Sequence, residues 1–145
     1  MRVVVQRSKN SNVIVDNKIV GSIDKGLVLL VGFSEDSTIK DIEYFAKKIV
    51  NLRIFDDENH IMNKSLKDIN GSILSISQFT LYADTTKGNR PSYSKSLNSE
   101  EAIKLYELFN KELRSYDIPV KTGIFGAEMT VNITNDGPVT IILGG

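Results

Sequence analysis

The run GLVLLVGF, residues 26–33, constrains the fold of this chain more than any other stretch. It carries no charge and is almost continuously apolar. A run of this length predicts a strand that is buried on both faces more often than a short helix. Burying such a strand requires a real core, and a chain of 145 residues is long enough to build one within a single domain.

Several other segments have the composition or the alternation of strands. They lie at 2–7, 13–16, 19–23, 72–81, 118–122, 129–133 and 138–145. Tight turns are expected at Asn17-Lys18, between two of these segments, and at Lys25-Gly26. Within 72–81, Leu74 and Ile76 alternate with serines, as they do in a half-buried strand.

Two segments have the periodicity of amphipathic helices. The first follows Ser37 and Thr38, which are both suitable N-cap residues, and the second begins near Asn98 or Ser99. Their apolar stripes are Ile39, Ile42, Phe45, Ile49 and Leu52, and Ala102, Leu105, Tyr106, Phe109 and Leu113. Strands with two inserted helices and no regular β–α–β alternation favour the α+β class. We expect one domain over residues 1–145, with a mainly antiparallel β-sheet or open barrel and two principal helices.

The composition excludes several kinds of function. The formal net charge is zero, which argues against a broad electrostatic grip on nucleic acid but not against a local one. There is no cysteine, so disulfides and thiolate metal sites are excluded, and His60 is the only histidine. The sequence contains neither a signal peptide nor a run of eighteen apolar residues, so a cytoplasmic location is the default expectation.

The stretch SQFT, residues 77–80, places polar groups near the end of a predicted strand. Its hydroxyls, its amide and its backbone N–H groups could hold a carbonyl or a developing oxyanion, and a solvated strand face is the alternative. Thr80 could also act as a nucleophile, but a nucleophile needs an adjacent base. His60 lies in a polar loop, and nothing in the sequence pairs it with Thr80.

Two further segments admit both a functional and a structural interpretation. Lys87 and Arg90 belong to the loop KGNR, which could contact phosphate or could simply be solvated. Gly137-Pro138 lies between two apolar, β-rich runs. Because proline fixes φ, lacks an N–H and can follow a cis bond, this dipeptide is either a simple turn or a rigid pair of carbonyl acceptors.

With these motifs in place, the chain resembles the D-aminoacyl-tRNA deacylases, a family that removes D-amino acids from mischarged tRNA. The resemblance extends over essentially the whole chain. Its two signatures, SQFTL and NDGPVT, are intact and in the expected order. The matching stretches are MRVVVQR, GSIDKGLVLLVGF, SQFTLYAD, KGNRPSY and TGIFGAEMTVNITNDGPVT.

The resemblance implies a homodimeric hydrolase that cleaves the ester bond of D-aminoacyl-tRNA and of glycyl-tRNA, with both active sites at the subunit interface. Catalysis would rely on the backbone N–H groups of Phe79 and Thr80 and on the 2′-OH of the tRNA itself. Gly137 and Pro138 of the partner subunit would form a cis peptide that excludes L-amino acids. We expect tRNA as the partner, and no DNA, membrane, metal or organic cofactor.

The resemblance also assigns binding residues. Lys87 and Arg90 would border the RNA, and Arg7 would hold the Gly-Pro element in place. The substrate-binding set is Arg7, Ser77, Gln78, Phe79, Ala102 and Met129. Three alternatives stay open: an esterase that uses Thr80 as its nucleophile, a paralogous deacylase with relaxed chirality, and a module that binds tRNA ends without catalysis.

Overall fold

The computed structural model describes residues 1–144. Five strands form one sheet in the order β6-β5-β2-β1-β7, and β3 pairs with β4 in a separate ribbon. The elements are β1 (Arg2–Val15), β2 (Lys18–Gly32), α1 (Ile39–Asn51), β3 (Phe55–Asp56), β4 (Met62–Lys64), β5 (Ser72–Ser77), a 3₁₀ turn (Phe79–Tyr82), α2 (Ser99–Arg114), β6 (Val120–Thr122) and β7 (Thr130–Leu143).

The five-stranded sheet is mixed, and its longest pairings are antiparallel. β1 pairs antiparallel with β2 and with β7, whereas β5 pairs parallel with β2 and with β6. Parallel neighbours need a crossover connection, and the chain between β2 and β5 contains α1. The predicted α+β class, with a mainly antiparallel sheet and two principal helices, is confirmed. The homodimer stays a prediction.

The apolar run of β2 divides its side chains between two cores, because alternate residues of a strand point to opposite faces. Leu27, Leu29 and Val31 pack in the larger core, together with the two helices. Val28 belongs to a smaller core on the opposite face of the sheet. All four side chains are fully buried. The predicted strand that is buried on both faces is therefore confirmed.

Both helices pack against the same face of the sheet. Thr38 caps α1 in a reciprocal capping box with Asp41, and Asn98 caps α2 by accepting from the N–H of Glu101. The buried parts of the predicted stripes are Ile42, Phe45, Ile49, Tyr106, Phe109 and Leu113. Ile39, predicted as part of the first stripe, is exposed instead. Helical spacing predicts which side of a helix is apolar. It does not predict which residues along that side lie close enough to the sheet to be buried.

Two predicted turns are wrong. The β1–β2 hairpin turns at Asp16-Asn17, one residue earlier than predicted, and both residues have positive φ, which suits Asp and Asn. At Lys25-Gly26 the strand β2 continues, and Gly26 pairs with Ser72 of β5. A Cβ on Gly26 would lie 1.8 Å from the carbonyl oxygen of Ser72. This glycine therefore permits a close approach of two strands, not a turn.

Candidate functional site

A cavity of about 510 Å³ opens at the carboxyl ends of β2 and β5. The two strands are parallel neighbours, and Val31 lies beside Ser77, so their ends meet at one edge of the sheet. Ligands commonly bind outside the carboxyl ends of neighbouring parallel strands. The volume also falls in the range typical of small-molecule sites. The fold therefore places a candidate site here.

The cavity brings five of the predicted site residues together. They come from the end of β5, the start of the 3₁₀ turn, the N-terminal part of α2 and the loop before β7. These lining residues are Ser77, Gln78, Phe79, Ala102 and Met129. Their convergence makes a common binding role physically reasonable, and that role stays a prediction.

Sequence reasoning missed other residues of the lining, among them Leu97 and Phe125. The ring of Phe125 packs on Tyr106, with centroids 5.9 Å apart. Tyr106 is fixed in turn, because its hydroxyl donates to the carbonyl oxygen of Ser75 at 2.6 Å, and burial raises its pKa. One signal could have found Phe125: it is an aromatic residue in the glycine-containing segment TGIFGAEM, where no helical or strand periodicity accounts for it.

The chain leaves β5 at Ser77 and enters a 3₁₀ turn, so the prediction of a strand continuing to residue 81 is wrong. The N–H of Gln78 donates to the carbonyl of Val31 at 2.7 Å, and the N–H of Leu81 then donates back to the carbonyl of Gln78 at 3.3 Å. The first N–H groups of a helical turn have no acceptor inside it. The N–H groups of Phe79, which lines the cavity, and of Thr80, the next residue, are therefore available as donors, and such donors can stabilise an oxyanion.

The side chain of Thr80 is exposed and does not belong to the cavity lining found among residues 1–144. Its hydroxyl oxygen accepts a hydrogen bond from Nε2 of Gln78 at 2.5 Å. A carboxamide is not a base, so this contact cannot activate the hydroxyl as a nucleophile. His60 lies between β3 and β4 and is likewise outside the lining within that range.

Gly137-Pro138 lies in a bulge of β7, and the two apolar runs that flank it belong to this one strand. Pairing with β1 is interrupted between Asn135 and Thr140, so that residues 136–139 stand opposite Arg7 alone. Both residues of the dipeptide are exposed, and the peptide bond between them is cis. A bulge disrupts the ladder and redirects the strand locally. The dipeptide is therefore exposed on a local distortion of the edge strand β7.

Arg7 ties this bulge to the rest of the fold. Its buried guanidinium donates through Nε to the carbonyl of Asp136 at 3.0 Å and through Nη1 to the carbonyl of Ile54 at 2.9 Å. Carboxylate oxygens of Asp56 and Asp136 each lie 3.5 Å from it. The side-chain amide of Asn135 also donates to one carbonyl of β1 and to one at the end of the bulge, each at 3.0 Å. These contacts restrict the position of the bulge.

Within one chain, the cavity and the Gly137-Pro138 bulge, which the resemblance assigns to the same active site, lie apart. Within residues 1–144, neither Arg7 nor Gly137-Pro138 lines the cavity. β7 is an edge strand, so in this range its outer backbone groups face no neighbouring strand, and Ile142 is 66% exposed on it. This separation is compatible with the expectation that the bulge enters the cavity of a partner subunit, which stays a prediction.

Lys87 and Arg90 lie in an exposed loop with a closed base. The backbone groups of Asp84 and Ser92 exchange two hydrogen bonds, of 2.8 and 2.9 Å. The hydroxyl and the N–H of Thr86 donate to the carboxylate of Asp84 and hold its pKa below the usual range. Neither cation of the loop forms an ion pair within residues 1–144. Both charges are therefore available to a ligand.

The part of the chain that the structure describes offers no evident metal centre, because no three histidine, aspartate or glutamate side chains gather there. Independence from metal stays a prediction, which a chelator can test. None of the helices in residues 1–144 is long and apolar enough to cross a membrane.

Two curated proteins and a family model resemble this chain over nearly its full length. The family model described as D-Tyr-tRNA(Tyr) deacylase matches residues 4–144. A D-aminoacyl-tRNA deacylase of Thermosipho africanus (strain TCF52B) is 55% identical over 143 residues, which covers 99% of this chain and 96% of that protein. The protein of the same name from Limosilactobacillus reuteri (strain DSM 20016) is 54% identical over 142 residues, which covers 98% of this chain and 98% of that protein.

Two solved structures have a closely similar fold. The c-Myc DNA unwinding element binding protein superposes with a TM-score of 0.93 at 40% identity, covering 100% of this chain and 99% of its own. A probable eukaryotic D-amino acid tRNA deacylase superposes with a TM-score of 0.82 at 20% identity, covering 98% of this chain and 97% of its own. The second likeness supports the fold alone. On the family model and the curated relatives, the predicted family is confirmed: this chain belongs to the D-Tyr-tRNA(Tyr) deacylase family.

Proposed function

We propose that this protein hydrolyses the ester bond that joins a D-amino acid, or glycine, to the 3′ end of tRNA. The observation that carries the proposal is the corner at residues 78–80, where Gln78 and Phe79 line a cavity of about 510 Å³ and the N–H groups of Phe79 and Thr80 are available as donors. Family membership supports the enzyme class, a D-aminoacyl-tRNA deacylase. A single domain over residues 1–145 that works in the cytoplasm, as a homodimer, is part of the same proposal.

The terminal adenosine and the aminoacyl group occupy the cavity. Its lining combines apolar side chains, such as Ala102, Phe125 and Met129, with the polar groups of Ser77 and Gln78. Sites for small molecules typically have this composition, in which apolar surface provides affinity and a few polar groups fix orientation. The polar groups lie on the side where β5 ends, so we place the ester there and the adenine against the apolar side chains.

Hydrolysis begins when the oxygen of a water molecule attacks the carbonyl carbon of the ester. The carbonyl oxygen gains negative charge, and the N–H groups of Phe79 and Thr80 donate hydrogen bonds to it. The neighbouring 2′-OH of the terminal ribose is both a donor and an acceptor, so it can accept the proton of the water and pass one to the 3′ oxygen. The bond between the carbonyl carbon and the 3′ oxygen then breaks, which releases the free amino acid and tRNA.

Gly137 and Pro138 of the partner subunit select against L-amino acids. In this proposal their carbonyl groups face the α-carbon of the substrate, on the bulge that Arg7 anchors. The side chain of an L residue would point into these carbonyls, whereas a D residue or glycine places only a hydrogen there. Selection by exclusion suits an enzyme that must accept many different D side chains.

The proposed activity is tested by incubating the purified protein with D-Tyr-tRNA, L-Tyr-tRNA and Gly-tRNA, with and without EDTA. We expect rapid loss of the D and glycyl esters, an intact L ester, and the same rates in EDTA. Equal hydrolysis of the D and L esters would contradict the chiral selection and favour a relaxed paralogue or a general esterase. Binding of tRNA without any hydrolysis would favour a binding module.

Thr80→Ala is expected to retain most of the deacylase activity, because the proposal uses the N–H of this residue and not its hydroxyl. Removing a covalent nucleophile costs on the order of 10⁶-fold in kcat in a hydrolase that depends on one. The two mechanisms are therefore easily separated by single-turnover rates on D-Tyr-tRNA. Thr85→Ala, an exposed threonine in the neighbouring loop, serves as the matched control. A collapse of activity in Thr80→Ala alone would restore the nucleophile mechanism.

A further inference from the structure

An exposed aromatic pair, Phe79 and Tyr93, lies at the rim of the cavity. The two ring centroids are 5.1 Å apart, and the ring planes are inclined at 66°. Phe79 is 56% exposed and Tyr93 is 42% exposed. Phe79 also lines the cavity, so the pair extends the apolar lining outward across the rim. Two adjoining aromatic rings left in water beside a cavity indicate a binding surface.

Backbone contacts hold this pair in place. The hydroxyl of Ser96 donates to the carbonyl oxygen of Phe79 at 3.0 Å, and the N–H of Ser96 donates to the carbonyl oxygen of Tyr93 at 3.0 Å. Ser96 is paired in turn with Ser34, just beyond the end of β2. The two rings therefore stand on segments that are tied together and to the sheet. A surface that is ordered before binding loses less entropy when a ligand arrives.

The pair leaves flat apolar surface available to a third ring. In an edge-to-face pair, the edge of one ring covers one face of the other, so the remaining faces stay open. The loop that carries Lys87 and Arg90 closes at Ser92, directly before Tyr93. Neither cation of that loop is engaged in an ion pair within residues 1–144. Open aromatic faces beside available cations are the combination that binds single-stranded nucleic acid, through stacked bases and neutralised phosphates.

We propose that Phe79 and Tyr93 form a stacking site for the nucleobase that precedes the terminal adenosine of tRNA, while Lys87 and Arg90 lie near the adjoining phosphates. The inference rests on the proposed function, which places the terminal adenosine in the cavity. The bases at the 3′ end of tRNA are unpaired, so they can stack on protein side chains. Stacking accepts every base, and it would direct the end of the chain into the cavity.

The experiment compares two substrates: D-Tyr-tRNA and the 3′-D-tyrosyl ester of adenosine, which lacks the preceding nucleotide. For Tyr93→Ala we expect kcat/KM on D-Tyr-tRNA to fall about tenfold relative to kcat/KM on the short ester, mainly through KM. Tyr93→Phe keeps the ring, so it should restore the wild-type ratio. Tyr44→Ala removes a tyrosine of α1 that is more exposed than Tyr93, 59% against 42%, and should leave the ratio unchanged.

Several outcomes would overturn the stacking site. An equal loss on both substrates would mean that Tyr93 only supports Phe79, and no change on either substrate would mean that Tyr93 does not contact the RNA. A shift of the monomer–dimer equilibrium of Tyr93→Ala in light scattering would mean that a second copy of the chain covers the pair. Wild-type protein that hydrolyses neither substrate would overturn the proposed function as well. If the wild type hydrolyses both substrates and Tyr93→Ala has the wild-type ratio of kcat/KM between them, only the stacking site is overturned.

Discussion

Replacing Arg7 with alanine is expected to slow the deacylation of D-Tyr-tRNA about 100-fold and to lower the free energy of unfolding by about 3 kcal/mol. The buried guanidinium donates to the carbonyl oxygens of Ile54 and Asp136. Leaving two such acceptors without a partner costs about 1–3 kcal/mol each. The bulge with Gly137-Pro138 would also lose its link to the segment after α1, and a displacement of about 1 Å in a positioning group can cost about 100-fold in rate.

Arg7→Lys separates stability from positioning. Lysine keeps a positive charge near Asp56 and Asp136, but it lacks the planar fork that donates to two carbonyls at once. We expect a stability between those of the wild type and the alanine variant, and a rate close to that of the alanine variant. The measurements are urea unfolding and single-turnover rates.

Arg53→Ala is the matched control for Arg7, because this exposed arginine donates, among residues 1–144, to the carbonyl of Asn63 alone, at 3.1 Å. Its loss should change the free energy of unfolding by less than about 1 kcal/mol and leave the rate unchanged. Wild-type stability and rate in Arg7→Ala would contradict the anchoring role.

Removing the 2′-OH from the substrate is expected to slow hydrolysis about 10²–10⁴-fold, the range that positioned proton transfer contributes. The substrate would be D-Tyr-tRNA that ends in 2′-deoxyadenosine. The protein offers little to replace this hydroxyl, because the hydroxyl of Thr80 accepts from the carboxamide of Gln78 and His60 lies in the turn between β3 and β4. Dependence on the 2′-OH is therefore the strongest test of the proposed chemistry.

The control for this measurement is the same deoxy substitution at the preceding nucleotide, which should leave the single-turnover rate nearly unchanged. Spontaneous hydrolysis of each ester has to be subtracted, because the 2′-OH affects that reaction as well. Thr80→Ala should show the same dependence on the terminal 2′-OH as the wild type. Full-rate hydrolysis of the deoxy substrate would mean that a side chain of the protein moves the proton. That result would favour a role for the side chain of Thr80.

Prediction from the sequence succeeded where burial imposes one clear pattern. The apolar run of β2 and most of the stripes of both helices follow directly from the need to bury apolar side chains. One of the two predicted cap residues, Thr38, caps α1, and α2 begins at Ser99 after its cap Asn98, within the predicted pair. It failed where chain direction depends on a neighbour. The alternation of β5 loosens after Ser77, because Phe79 falls on the face of the serines, but the strand is still predicted to reach residue 81. It ends at Ser77, the last residue paired with β2.

The candidate site was predictable only in part. The family resemblance identified Ser77, Gln78, Phe79, Ala102 and Met129, and the structure gathers them around one cavity. Phe125 carries only one local signal, its place in the glycine-containing segment TGIFGAEM, and no periodicity singles out Tyr93. They acquire a role only through neighbours that are distant in sequence: Phe125 through its contact with Tyr106, and Tyr93 through its contact with Phe79.

The sequence by itself determined the two helices, the apolar run of β2, the class of fold and the family that the chain resembles, because hydrophobic periodicity and motif residues are local properties. It did not determine where β2, β5 and β7 continue or end. Only the tertiary structure decided that β5 lies parallel to β2, that residues 136–139 stand outside the β1–β7 ladder, and that Arg7 joins this bulge to Ile54. It also decided that the bulge and the cavity lie apart within one chain. These features depend on pairing between residues far apart along the chain, and no local pattern encodes that pairing.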